Sequence, residues 1–179
     1  MSLHGYHVVI LLERDYEDLE FWYPKLRLLE EGAQVTAVAP GRGTYESKHG
    51  YPATAVATVA ELDIQSVDGV VVPGGWAPDR LRRHEDINAF VGAVDARGSL
   101  VAAICHGGSV LVSANMLHGR TVTSVGAIKD DLVNAGATWV NEEVVVDRNL
   151  VTSRTPDDLP AFMAAVVGTL RAAAPGRAG

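Results

Sequence analysis

Cysteine is nearly absent: Cys105 is the single one among 179 residues. One thiol excludes an internal disulfide and any zinc site built on cysteine. Basic residues are in deficit, 15 Lys and Arg against 22 Asp and Glu, for a formal charge of -7. Tracking a phosphate backbone needs a basic stripe, so nucleic acid is excluded as a partner class. The one basic knot, Arg80, Arg82, Arg83 and His84, reads as a solvated helix face. Long apolar runs are missing as well; GVVVPGG and LVAAIC are far too short to span a bilayer. Glu13, Asp15, Glu17 and Asp18 interrupt the stretch where a signal peptide would need an apolar segment. The expectation is a soluble cytoplasmic protein with no membrane partner. The histidines show no metal-ligand spacing, so neither a metal nor another cofactor is expected.

What is present alternates. HVVILL at 7–12 reads as a strand buried on both faces, and 35–39, 69–72 and 100–104 read as further strands. Between them, 16–31 is expected to be helical, with Tyr16, Leu19, Trp22, Leu26 and Leu29 on its apolar face and a kink at Pro24. Helices are also expected over 86–97, 108–117 and 128–135, with a short strand at 121–125. A hairpin is expected within 45–63, and another where Arg148-Asn149 joins 144–147 to 150–153. The last helix puts Leu159, Phe162, Met163, Val166, Val167 and Leu170 on one face. Alternating strands and helices imply an α/β three-layer sandwich, a mostly parallel sheet with helices on both faces. One domain over 5–172 accounts for the pattern, with 1–4 and 173–179 read as frayed or appended ends. Ligands of such sheets bind beyond the carboxyl ends of the strands, which directs attention to the loops after Leu12, Val72 and Ile104.

The first of these loops has none of the Gly, Ser or Thr that a phosphate site requires, and its acids would repel phosphate. Helix N-terminal charge accounts for most of those acids. The second, Pro73-Gly74-Gly75-Trp76, is either a plain tight turn or a source of backbone N–H groups for an oxyanion hole. The third runs Ala103-Ile104-Cys105-His106-Gly107-Gly108. A nucleophile elbow needs small residues two before and two after its nucleophile, and Ala103 and Gly107 stand there. The following helix N-terminus should lower the thiol pKa, and the His106 N–H is placed to receive an oxyanion. Among Glu13, Glu17 and Glu20, spacing alone does not decide which reaches the thiol.

These blocks, ERDYEDLEFWYP, SKHGY, VVVPGGWAPDRLR, VAAICHGG, GAIKDDLVNAGATWV and VVVDRNLVTSRTPDDLPAF, make the chain resemble the ThiJ/PfpI superfamily from about 8 to 170. Within it, the likeness is to PfpI-type intracellular cysteine hydrolases and their deglycase and glyoxalase relatives. The resemblance implies a flavodoxin-like fold, Cys105 as nucleophile and Glu17 as the acid that reaches it. It also implies that His106 pairs with an acid from a neighbouring subunit of a homo-oligomer, at the position of Asp79. The family's usual glutamate is one methylene longer. Gly108 stands where the family commonly has proline. Class I glutamine amidotransferases share the elbow but need a later His-x-Glu, and no histidine follows His118.

The residues therefore suggest addition of a Cys105 thiolate to a carbonyl carbon, with the Gly75 and His106 N–H groups holding the oxyanion. Gly74, Trp76 and Tyr16 would line the cleft. A small carbonyl compound is favoured over a peptide as substrate, because the loops leave little room for an extended chain. The alternative is a non-catalytic redox sensor or stress chaperone that works by oxidation of Cys105.

Overall fold

In the computed structural model, which describes residues 2–173, β1 (His7–Leu11) lies inside a six-stranded sheet because nearly every side chain in it is apolar. α1 (Asp18–Glu30), β2 (Gln34–Val38), the hairpin β3 (Gly43–Glu46) and β4 (Pro52–Ala55), and β5 (Gly69–Val72) follow. Next come α2 (Ala77–Leu81), α3 (Glu85–Ala96), β6 (Leu100–Ile104), α4 (Gly108–Ser113), β7 (Thr121–Val122) and α5 (Lys129–Asn134). β8 (Thr138–Trp139), β9 (Val144–Asp147), β10 (Leu150–Ser153) and α6 (Leu159–Ala172) complete the order. The main sheet runs β2-β1-β5-β6-β10-β9, parallel except for the antiparallel edge strand β9, which turns back through Arg148 and Asn149. β3–β4 and β7–β8 form separate two-stranded sheets.

Strand alternation divides the core into two. Val8, Ile10, Leu12, Ala102 and Ile104 pack beneath α1 and α6 with Phe21, Leu28, Phe162 and Val166. Val9, Leu11, Val70, Val72 and Val101 face the other way, onto Ile87, Val91, Val94, Leu111 and Leu132. Each large side chain so buried contributes roughly 1.5–3 kcal/mol, and together they yield the flavodoxin-like three-layer sandwich.

α1 departs from the sequence expectation. It starts at Asp18, and its buried face is Glu20, Phe21, Pro24 and Leu28. Leu19, Leu26 and Leu29, expected in the core, are 57%, 59% and 47% exposed. The helix carries two apolar stripes, and the inner one is disguised by a glutamate and a proline. Leu3, expected in a frayed end, is fully buried, and its N–H donates to the Glu31 carbonyl. Met1 and 174–179 lie outside the described residues. No helix among them is long and apolar enough to cross a membrane.

Candidate active site

β6 ends at Ile104, and the chain turns through a single 3-10 turn, Cys105–Gly107, into α4. Cys105 itself takes a left-handed φ of 59°. That conformation is uncommon for a residue with a Cβ and marks a sharp strand-to-helix elbow. Packing explains the small neighbours: a Cβ on Gly107 would overlap the Val72 carbonyl oxygen, and one on Gly74 would stand 2.8 Å from the Cys105 Cβ.

The carboxyl that reaches Cys105 belongs to Glu20, which corrects the expectation of Glu17. Glu20 is fully buried and accepts the Gly74 N–H at 2.7 Å. Its Oε1 is buried with no hydrogen-bond partner among the described residues, while its Oε2 and the Cys105 Cβ both crowd the point where a Gly74 Cβ would stand. Glu17 points elsewhere, into an ion pair with the Lys48 ammonium. Glu17 precedes the helix with an extended backbone, φ -76° and ψ 122°, so its side chain leaves along a different direction from Glu20, which lies on the buried face of α1.

Burial pushes Glu20 up to about 8, against the pull of the Gly74 N–H. Burial and the Glu20 charge push the Cys105 thiol up to about 12, although the His106 and Gly75 N–H groups act on it in the opposite direction. The expectation of a depressed thiol is thereby reversed. Two buried groups resist carrying two negative charges, so their ionisations are coupled and the second charge is the costly one. Where Glu20 keeps its proton, a thiolate would form beside two backbone donors.

His106 brings Nδ1 to 3.4 Å from the Cys105 sulfur. Burial, and secondly Lys48, lower its pKa, so its ring is neutral at pH 7. Trp76, 63% exposed, lies against it at 5.6 Å between centroids. Both line a cavity of about 400 Å³ with Gly75, Ser109, Asp79 and Asp131. Asp79 is exposed on α2 and ion-paired with Arg83. Among the described residues no carboxylate is hydrogen-bonded to His106.

Two expected cleft residues are structural. Tyr16 is fully buried, its hydroxyl donating to the Tyr51 carbonyl at 2.7 Å, because its ring fills the core beside Phe21. Gly74 spends its N–H on Glu20 and its carbonyl on the Glu17 N–H, so neither is free for substrate. Lys48 was missed; its only signal was its place in SKHGY. Glu17, Asp18 and His49 converge within 4.8 Å, but Lys48 neutralises the first and His49 hydrogen-bonds the second, so no open ligand set is left.

The family model described as "DJ-1/PfpI family" matches residues 6–169. A deglycase of Pyrococcus horikoshii is 43% identical over 92% of this chain and 99% of its own length. The deglycase PfpI of Pyrococcus furiosus is 41% identical over the same shares. A Bacillus subtilis relative whose name proposes a cysteine protease is 37% identical over 87% of this chain and 92% of its own. Among solved structures, a two-domain Anabaena variabilis protein with DJ-1/ThiJ/PfpI-like and ferritin-like domains superposes with a TM-score of 0.91 and 39% identity. That match covers 93% of this chain and 48% of that one.

Proposed function

This chain belongs to the DJ-1/PfpI family, and on that premise we propose a cysteine-dependent enzyme acting on small carbonyl compounds, of glyoxalase or deglycase type. The observation that carries the reading is the Cys105 elbow. A cysteine is fixed in a left-handed turn, with a buried acid, Glu20, and two backbone donors around its sulfur.

With methylglyoxal, the Cys105 sulfur bonds to the aldehyde carbon and the carbonyl electron pair moves to oxygen, which takes up a proton. The product is a hemithioacetal. Moving the carbon-bound proton to the neighbouring carbonyl carbon through an enediol converts it to a thioester of a 2-hydroxy acid. Water then cleaves the thioester to lactate and restores the thiol, so methylglyoxal plus water balances lactate. Glu20, pushed up to about 8, can both take and return a proton near neutral pH. With a hemiaminal of the same aldehyde and an amine, the sulfur bonds to the former aldehyde carbon as its C–N bond breaks and the amine leaves with the thiol proton, giving the same hemithioacetal. Asp79 of a second copy, seated against His106, would complete the proton path in a homo-oligomer.

Lactate formation from methylglyoxal without glutathione is the test, run beside a fluorogenic peptide assay. Turnover of the first kind, lost in Cys105→Ala, is expected. Peptide cleavage alone would replace the reading with a protease, and silence in both would refute catalysis in favour of Cys105 oxidation.

A further inference from the structure

The tip of the β3–β4 hairpin is fastened to the start of α1 more firmly than a surface turn requires. Ser47, buried, donates its hydroxyl to Asp18 at 2.6 Å and accepts the N–H groups of His49 and Tyr51 at 3.1 and 2.9 Å. The Lys48 N–H donates to the Tyr16 carbonyl at 3.0 Å, and His49 Nδ1 lies 2.7 Å from Asp18. What this delivers is one cation: the Lys48 ammonium, held against the carboxylate of Glu17. Glu17 has only 8% of its side chain exposed, and a carboxylate so buried needs a counter-charge. The pair stands next to the elbow, since the Glu17 N–H is bonded to the carbonyl of Gly74, the residue packed on Cys105.

We propose that Lys48 and Glu17 are positioning residues that act as an opposed charge pair, together setting the field in which Cys105 gives up its proton. Neither touches the reacting carbon. Facing Cys105 are Glu20 from α1 and His106 from its own turn; the pair of Lys48 from the hairpin tip and Glu17 from the residue before α1 acts on them through charge alone. Asp18 with His49, and Asp15 with Arg80, are neutralising pairs further out. The Lys48 charge is felt at Cys105, Glu20 and His106 alike. Removing Lys48 leaves the Glu17 carboxylate uncompensated near the elbow and disfavours the thiolate. Removing the charge of Glu17 leaves an uncompensated ammonium and favours it.

The inference rests on Cys105 as the reactive group, but its test needs no turnover. The rate constant for alkylation of Cys105 by iodoacetamide, a neutral probe, is followed against pH. At an effective dielectric constant near 20, an unpaired charge roughly 12 Å away displaces the profile by about one pH unit. Lys48→Met should therefore react about tenfold more slowly at about pH 8, and Glu17→Gln about tenfold faster. The double variant should return to within about threefold of wild type, and Lys48→Arg should keep the wild-type profile. A purely structural role would move both single variants in one direction, or change the rate without displacing the pH profile. Either outcome overturns the proposal. It would leave the lactate assay of Cys105→Ala standing, just as failure of that assay would leave the charge pair untouched.

Discussion

Replacing Glu20 by glutamine removes an ionisation while keeping the shape of the side chain and an oxygen for the Gly74 N–H. In the folded chain burial holds this carboxyl up to about 8 against an ordinary 4.5. The proton is thus bound more tightly in the folded than in the unfolded state. The stability this represents is fully present below about pH 4.5 and is lost as pH rises through about 8. Each unit of displacement corresponds to about 1.4 kcal/mol, so the whole interval is of order 5 kcal/mol. Glu20 is fully buried, so water does not screen the effect away. Urea denaturation of wild type and Glu20→Gln, compared at several pH values across that interval, isolates it, because other titrating groups are common to both. The variant should gain on wild type steadily with pH, by several kcal/mol in total. A difference constant to within about 1 kcal/mol would show that Glu20 ionises normally and would refute the raised carboxyl.

Arg120, 4% exposed, holds Asp95 and the Asp147 carbonyl together, and Arg120→Met should cost about 3–5 kcal/mol in urea denaturation because it strands buried acceptors. Gly107→Ala drives a methyl group into the Val72 carbonyl, so a fall in melting temperature together with slowed Cys105 alkylation is expected. If a second copy supplies Asp79 to His106, Asp79→Asn should lower kcat, and sedimentation should show an oligomer at micromolar concentration. A monomer with unchanged kcat would remove Asp79 from the mechanism.

The sandwich was legible because its strands are apolar on both faces and its helices end at glycines such as Gly32, Gly98 and Gly136. The elbow was legible because Ala103 and Gly107 bracket Cys105 at the spacing a tight crossing demands. The partner acid was not. Residues 16–31 offer two helical stripes, and hydrophobicity alone favours the wrong one, since the inner stripe contains Glu20 and Pro24. A glutamate in a core stripe looks like an error of register until a buried thiol is found opposite it. Lys48 was illegible for another reason: its contact with Glu17 spans two elements, and a hairpin tip shows no periodicity. The thiol expectation failed on magnitude, because burial outweighs two backbone donors.

The left-handed turn at Cys105 has a consequence for any attempt to improve this protein. A residue with a Cβ at φ 59° carries backbone strain that glycine would relieve. A library screened for heat resistance alone should therefore enrich Cys105→Gly, and the most robust clones would be the inert ones. Durability and reactivity are here competing demands on a single codon, so the screen has to select for both at once.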